Sequence, residues 1–119
     1  MSANPIVHWE IMGPDGDALK AFYSVLFDWK FNTPEGFENY HTTEGDAMGV
    51  NGAVGQGSEE TPAYNCIYVG VADIGATLAD VESGGGVTAM PRTEIPGVVT
   101  FAMFHDPAGN LVGLVEDSG

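Results

Sequence analysis

The feature that most constrains the fold is an order of elements that occurs twice: one strand, one helix and three further strands. Two helices are predicted because Asp15 and Asp73 each stand as an N-cap before apolar residues at helical spacing. The second helix is expected to end at glycines 84–86, since glycine adopts the left-handed backbone of a helix end. The apolar faces comprise Leu19, Phe22, Tyr23 and Leu26 in the first helix and Ile74, Leu78 and Val81 in the second.

Short apolar segments bounded by turn residues predict the strands. They are expected at about residues 6–12, 28–33, 38–43, 47–54, 63–71, 87–90, 98–105 and 111–116. Residues 90–98, which include Pro91, Pro96 and Gly97, are predicted to form a loop that gates a binding site. His41 and His105 lie beside turns and are expected at the surface.

The sequence itself supports the doubling. A shift of 58 residues places His8 on Cys66 and Asp15 on Asp73. A shift of 64 residues places 45–50 on 109–114, and therefore Gly49 on Gly113. We predict one domain over residues 1–119, with module one at about 6–56 and module two at about 62–117.

The charge balance limits the partners. Seventeen acidic residues against three basic ones give a net charge of -14, too few cations to neutralise a run of phosphates. We therefore expect no nucleic acid and no membrane partner, and no apolar run approaches the length of a membrane span. One cysteine excludes an internal disulfide and, with no signal peptide evident, favours the cytoplasm. The acidity serves either solubility or the attraction of a cationic ligand.

Several segments resemble the vicinal oxygen chelate superfamily, which includes glyoxalase I, extradiol dioxygenases, fosfomycin-modifying enzymes and bleomycin-resistance proteins. The segments are Val7-His8-Trp9-Glu10-Ile11, Ala21-Phe22-Tyr23, Leu26-Phe27-Asp28-Trp29, Val71-Ala72-Asp73 and Phe104-His105-Asp106-Pro107-Ala108-Gly109-Asn110-Leu111-Val112-Gly113-Leu114-Val115-Glu116. The resemblance implies an α+β fold in which tandem βαβββ modules form a cup-shaped, mostly antiparallel sheet. It also implies a homodimer.

The resemblance assigns metal-ligand positions to the first and last strands of each module. These positions fall on His8, Gly49, Cys66 and Gly113. Glycine has no side chain to offer, and a catalytic divalent ion normally needs three or more protein ligands. His8 is the candidate metal ligand, but a full site is disfavoured, and we expect no cofactor. Glu10 shares a strand face with His8, and these two side chains together with Cys66 could form a weak, rearranged zinc site.

Strand alternation places His8, Glu10 and Met12 on one face, and Tyr64, Cys66, Tyr68 and Gly70 on another. His8 and Glu10 are the candidate catalytic pair, because a carboxylate can orient an imidazole as a general base. The candidate ligand-binding residues are Met12, Tyr40, Cys66, Tyr68, Arg92, Phe101 and Met103. Ordinary core packing is the alternative role for the aromatic residues and methionines.

Three functions compete at this stage. The first is a small-molecule binding protein without the complete family metal site, in the manner of bleomycin-resistance members. The second is an enzyme: a metal-dependent lyase, isomerase or dioxygenase, or a metal-free acid–base catalyst that uses His8 and Glu10. The third is a non-catalytic module that serves only in assembly. The sequence leaves open whether the chain is an enzyme.

Overall fold

The computed structural model describes residues 3–116 as two compact units. One unit is His8–Asn65, and the other consists of residues 66–116 together with residues 3–7. Each contains one helix and four strands in the order βαβββ, so the predicted α+β tandem fold is confirmed. The predicted end of module two, residue 117, lies outside the described residues.

In the sheet of module one, one pair of neighbouring strands is parallel and the other pairs are antiparallel. Its strand order is β2-β3-β4-β1, and β1 and β4 run parallel. The elements are β1 (Ile6–Gly13), α1 (Gly16–Phe27), β2 (Phe31–Asn32), β3 (Tyr40–Thr43) and β4 (Ala53–Gln56).

Module two repeats this topology, with the order β5-β8-β7-β6 and with β5 parallel to β8. Its elements are β5 (Tyr64–Val71), α2 (Ile74–Ser83), β6 (Val87–Ile95), β7 (Val99–His105) and β8 (Leu111–Glu116). In the described part of the chain, neither helix is long and apolar enough to cross a membrane.

Both helices begin at the predicted aspartates. The Asp15 carboxylate accepts from the Ala18 backbone N–H at 3.1 Å, and Asp73 accepts from Ala76 at 3.0 Å. Helix α2 ends at the glycines, and Gly85 has the expected positive φ of 100°. Helix α1 ends instead at Asp28, whose φ of 58° places a non-glycine residue in the left-handed region.

The core of module two lies between its sheet and α2. It comprises Val71, Ile74, Ala102 and Leu114, with Val69, Leu78 and Phe104 packed against it. In module one, α1 approaches β4 at Gly16. A Cβ on Gly16 would lie 2.8 Å from the Gln56 backbone nitrogen, so this contact requires glycine. In each module the helix covers one face of the sheet, so the opposite face is available to line a binding site.

Three predicted segments differ from the structure. The strand expected at 28–33 is only Phe31–Asn32, because Asp28 caps the end of α1. A strand was expected at 47–54, but Asp46–Met48 forms a 3-10 turn and β4 begins only at Ala53. The loop predicted at 90–98 is wrong, because β6 continues to Ile95 before a tight turn at Gly97. Pro91 is tolerated because β6 ends the strand order and its register to β7 shifts twice near this residue.

The strand register also corrects the predicted equivalence of Gly49 and Gly113. Gly113 lies opposite Tyr68, whereas Ala53 lies opposite Glu10 in module one. Since the shift of 58 residues places Glu10 on Tyr68, the counterpart of Gly113 is Ala53. Gly49 instead follows the 3-10 turn with a φ of 73°.

Candidate functional site

A hydrogen-bonded network covers the face of β1 that was predicted to carry His8 and Glu10. The two side chains are joined through Tyr40 of β3. The Tyr40 hydroxyl lies 2.7 Å from His8 Nε2 and 2.6 Å from Glu10 Oε2. The His8 and Tyr40 rings also stack, with centroids 6.3 Å apart. The predicted pair is therefore coupled through a phenol.

The partners in these two hydrogen bonds determine which atom is the donor in each. Tyr40 has one hydroxyl proton, and the carboxylate of Glu10 can only accept it. The phenol oxygen must then accept the second bond, so His8 donates from Nε2. The assigned chain runs from the imidazole N–H to the phenol and from the phenol to the carboxylate.

Burial determines the electrostatics of this network. Glu10 is only 7% exposed and also accepts a longer bond of 3.5 Å from the Tyr64 hydroxyl. Burial lowers the pKa of His8 below its usual value, and the neighbouring Glu10 carboxylate opposes this by raising it. A lowered pKa favours the neutral imidazole near pH 7, which is the form a general base requires.

The backbone of β4 allows Tyr40 to reach β1. Gly55 lies between Met12 and Tyr40 in the sheet register. A Cβ on Gly55 would lie 2.5 Å from the Asn39 carbonyl oxygen and 3.2 Å from Met12 Cε. Because Gly55 has no side chain, Met12 and the β3 backbone approach each other over β4. Met12, which shares a strand face with His8 and Glu10, is buried.

Module two presents an aromatic and sulfur-rich face. Tyr68, Gly113 and Met103 lie in register across three strands. The Tyr68 hydroxyl lies 4.0 Å from the Met103 sulfur. Phe101 precedes Met103 by two residues and shares its face, while Cys66 precedes Tyr68 by two and is buried.

The family's metal site does not fit these residues. A Cβ on Gly113 would lie 2.2 Å from the Tyr68 ring, so that ring fills the space of the family's last-strand ligand. The module-one counterpart, Ala53, has no donor atom either. Within residues 3–116, no three His, Cys, Asp or Glu side chains form a group that could hold a metal ion.

Arg92 is engaged by a carboxylate rather than placed on a gating loop. Its guanidinium lies on β6 and binds Glu116 at 2.7 Å. Glu116 also accepts from the Ile74 backbone N–H at the start of α2, at 3.0 Å. Bonds from Arg92 and from the Ile74 backbone hold the pKa of Glu116 below its usual value. Arg92 thus ties β6 to β8.

His41 was expected at the surface and is instead buried, with 2% of its area exposed. Its Nε2 lies 2.9 Å from Asp17 and its Nδ1 lies 2.7 Å from the Thr33 hydroxyl. The turn-like neighbours concealed that His41 lies inside β3, where alternate residues face α1. His105 is exposed at the end of β7.

The sequence profile of the glyoxalase/bleomycin resistance protein/dioxygenase superfamily matches residues 5–114. The chain belongs to this superfamily, as its βαβββ modules and motifs predicted.

Several individual proteins are similar to the chain. It is 31% identical over 112 residues to CFP32 of Mycobacterium bovis, which carries the name of a glyoxylase, and this match covers 88% of the chain but 42% of CFP32. The chain therefore spans less than half the length of that relative. A glyoxylase-like domain-containing protein of Didymella fabae is also 31% identical, over 92% of the chain and 91% of the relative.

Solved structures share the fold. The BH1468 protein of Bacillus halodurans has a TM-score of 0.71 at 15% identity, over 99% of this chain and 97% of that one. Methylmalonyl-CoA epimerase of Streptomyces coelicolor has a TM-score of 0.63 at 19% identity, over 99% of this chain and 100% of that one. Identities this low carry the architecture and not the reaction.

Proposed function

We propose that this chain binds a small molecule on the face of module one that carries His8, Glu10 and Tyr40, without the family's metal. The observation that carries the proposal is the buried Glu10 carboxylate, held by two phenols on a sheet face. A buried carboxylate favours a ligand group that donates hydrogen bonds or carries positive charge. The net charge of -14 favours a cationic ligand over an anionic one.

For module two, considered by itself, we propose that the aromatic and sulfur-containing face lines a binding surface. Tyr68, Phe101 and Met103 form a largely apolar face, suited to the apolar body of a ligand. Cys66 is proposed as a small apolar lining residue and not as a nucleophile. Arg92 is a weaker candidate, because Glu116 already binds its guanidinium.

The metal test decides the first part of the proposal. Metal content is measured on purified, untagged protein, and melting curves are recorded in chelator and with added Ni, Mn, Fe(II), Zn and Co. Tight binding raises the melting temperature by mass action. We expect no bound metal and no shift. Near-stoichiometric metal, with a stabilising shift lost in His8→Ala, would overturn the proposal of metal-free binding.

Acid–base catalysis is a second candidate function, and the hydrogen-bonded chain through Tyr40 favours it. A neutral His8 hydrogen-bonded to a phenol, which in turn donates to a carboxylate, is an arrangement that can move a proton. A panel of glyoxalase, epimerase and dioxygenase substrates is assayed in chelator with the wild type and with His8→Ala. Turnover that disappears in His8→Ala supports catalysis, whereas stoichiometric ligand protection without turnover supports binding alone.

We also propose that the chain works in the cytoplasm. The sequence has a single cysteine, Cys66, so the chain forms no internal disulfide, which is compatible with a reducing compartment.

A further inference from the structure

A cleft opens at one end of the module-two sheet. Its volume is about 940 Å³, within the range of small-molecule sites. The strand ends of β5 to β8 line it, together with residues 3–5 and Val7. The Gly70 backbone N–H donates to the Pro5 carbonyl at 2.9 Å, which fixes the N-terminal wall.

The walls of this cleft are mostly aliphatic. The apolar lining residues are Pro5, Val7, Ile95, Val98, Val99 and Val115. Val98 is 62% exposed, so the apolar surface is open to solvent at the turn between β6 and β7. An exposed aliphatic wall of this kind favours a ligand with an apolar body.

The charges around the cleft are predominantly negative. Glu94 and Glu116 line the cleft. The Arg92 guanidinium interacts electrostatically with both of these carboxylates and with Asp73. Three carboxylates against one guanidinium leave a surplus of two negative charges. Arg92 and the start of α2 already engage Glu116. Glu94 forms no ion pair within the described part of the chain, so it is the carboxylate available to a ligand.

We propose that this cleft binds an organic cation with a short aliphatic body. The ammonium group lies near Glu94, and the aliphatic part lies against Val98, Val99 and Val115. The site shares no residue with the His8 network, so it is a second site on the molecule. Its affinity is expected in the millimolar range, as befits a ligand of about seven heavy atoms.

The test uses hexylammonium, with neutral 1-hexanol and anionic hexanoate as probes of matched length. Backbone amide NMR shifts of the ¹⁵N-labelled full chain report where each probe binds. We expect hexylammonium to shift Val98, Val99 and Val115, with weaker binding at high salt because salt screens the charges. Hexanol is expected to bind at least threefold more weakly, and hexanoate not at all.

Two variants separate charge from shape. Glu94→Gln should weaken hexylammonium binding about two- to fivefold, and the matched Glu60→Gln, at an exposed bend between β4 and β5, should not change it. Val98→Arg places a cation in the cleft at an exposed position and should abolish binding without unfolding the chain.

Three results would overturn the proposal. The first is equal binding of all three probes, and the second is an unchanged affinity in Glu94→Gln. The third is a set of shifts confined to His8, Glu10 and Tyr40. That last result would still support the proposed function, so the two proposals fail separately.

Discussion

At the scale of single residues, one phenol connects the two candidate catalytic groups. Tyr40→Phe removes a hydroxyl that serves both His8 and Glu10. We expect the free energy of unfolding to fall by about 1–3 kcal/mol, because these buried polar side chains each lose one hydrogen-bond partner. Tyr64→Phe removes a longer bond to the same carboxylate and is the control. Denaturant titration of both variants measures the difference, and equal losses would contradict this ranking of the two bonds.

The His8 imidazole predicts a pH dependence of stability. Burial lowers its pKa in the folded chain, so between that pKa and the ordinary value near 6.5 the unfolded chain binds more protons. Stability is therefore fully present above about pH 6.5 and falls as the pH decreases through this window. Melting temperatures from pH 7.5 to 5 should decline less in His8→Gln than in the wild type. His105→Gln alters an exposed histidine and should leave the wild-type slope intact.

At the scale of elements, the register of β5 and β8 makes position 113 specific for glycine. In Gly113→Ala, the Tyr68 ring must move, because a Cβ would overlap it. We expect a loss of about 1–3 kcal/mol, which is typical of overpacking. Gly75→Ala in α2 meets only an ordinary contact of 3.4 Å and is the matched control. Chemical denaturation measures both, and a Gly113→Ala chain as stable as the control would contradict the close approach.

Some elements of this fold could be predicted from the sequence and others could not. N-caps and helical spacing are local signals, so both helices and the tandem order were predictable. The start of β4 was not, because residues 47–50 are apolar enough for a strand while Gly45 and Gly49 adopt positive φ in a turn. The face of His8, Glu10 and Met12 follows from strand alternation. The link through Tyr40 depends on pairing between β3 and β4, which no local pattern encodes.

At the scale of the whole molecule, an exposed apolar surface on α1 is the candidate interface for the predicted homodimer. Phe22, Val25, Leu26 and Phe27 are all more than half exposed, and Val25 reaches 88%. Lys20 and Lys30, two of the three basic residues, lie within or beside this helix and offset two of the three aspartates in residues 15–30, so the local net charge is only -1 and repulsion between two copies is small here. We expect a second copy of the chain to cover this surface.

Sedimentation velocity tests this surface. Val25→Glu should shift the population towards monomer, and higher salt should favour the wild-type dimer by screening the repulsion. Val87→Glu, at an exposed position of module two, is the control and should leave the dimer unchanged. A wild type that is monomeric at all salt concentrations would refute the dimer.

The wall that residues 3–7 provide to module two has a consequence for folding. The bond from Gly70 to Pro5 closes a loop that contains the whole of the first compact unit. Closing a loop of this length costs more conformational entropy than closing a hairpin, and contacts between such distant residues form slowly. A fragment that begins at Cys66 would therefore contain residues 66–116 of its unit but would lack residues 3–7, which line the cleft. Adding residues 3–7 as a separate peptide should restore the missing contact, which makes the segment a natural tool for complementation.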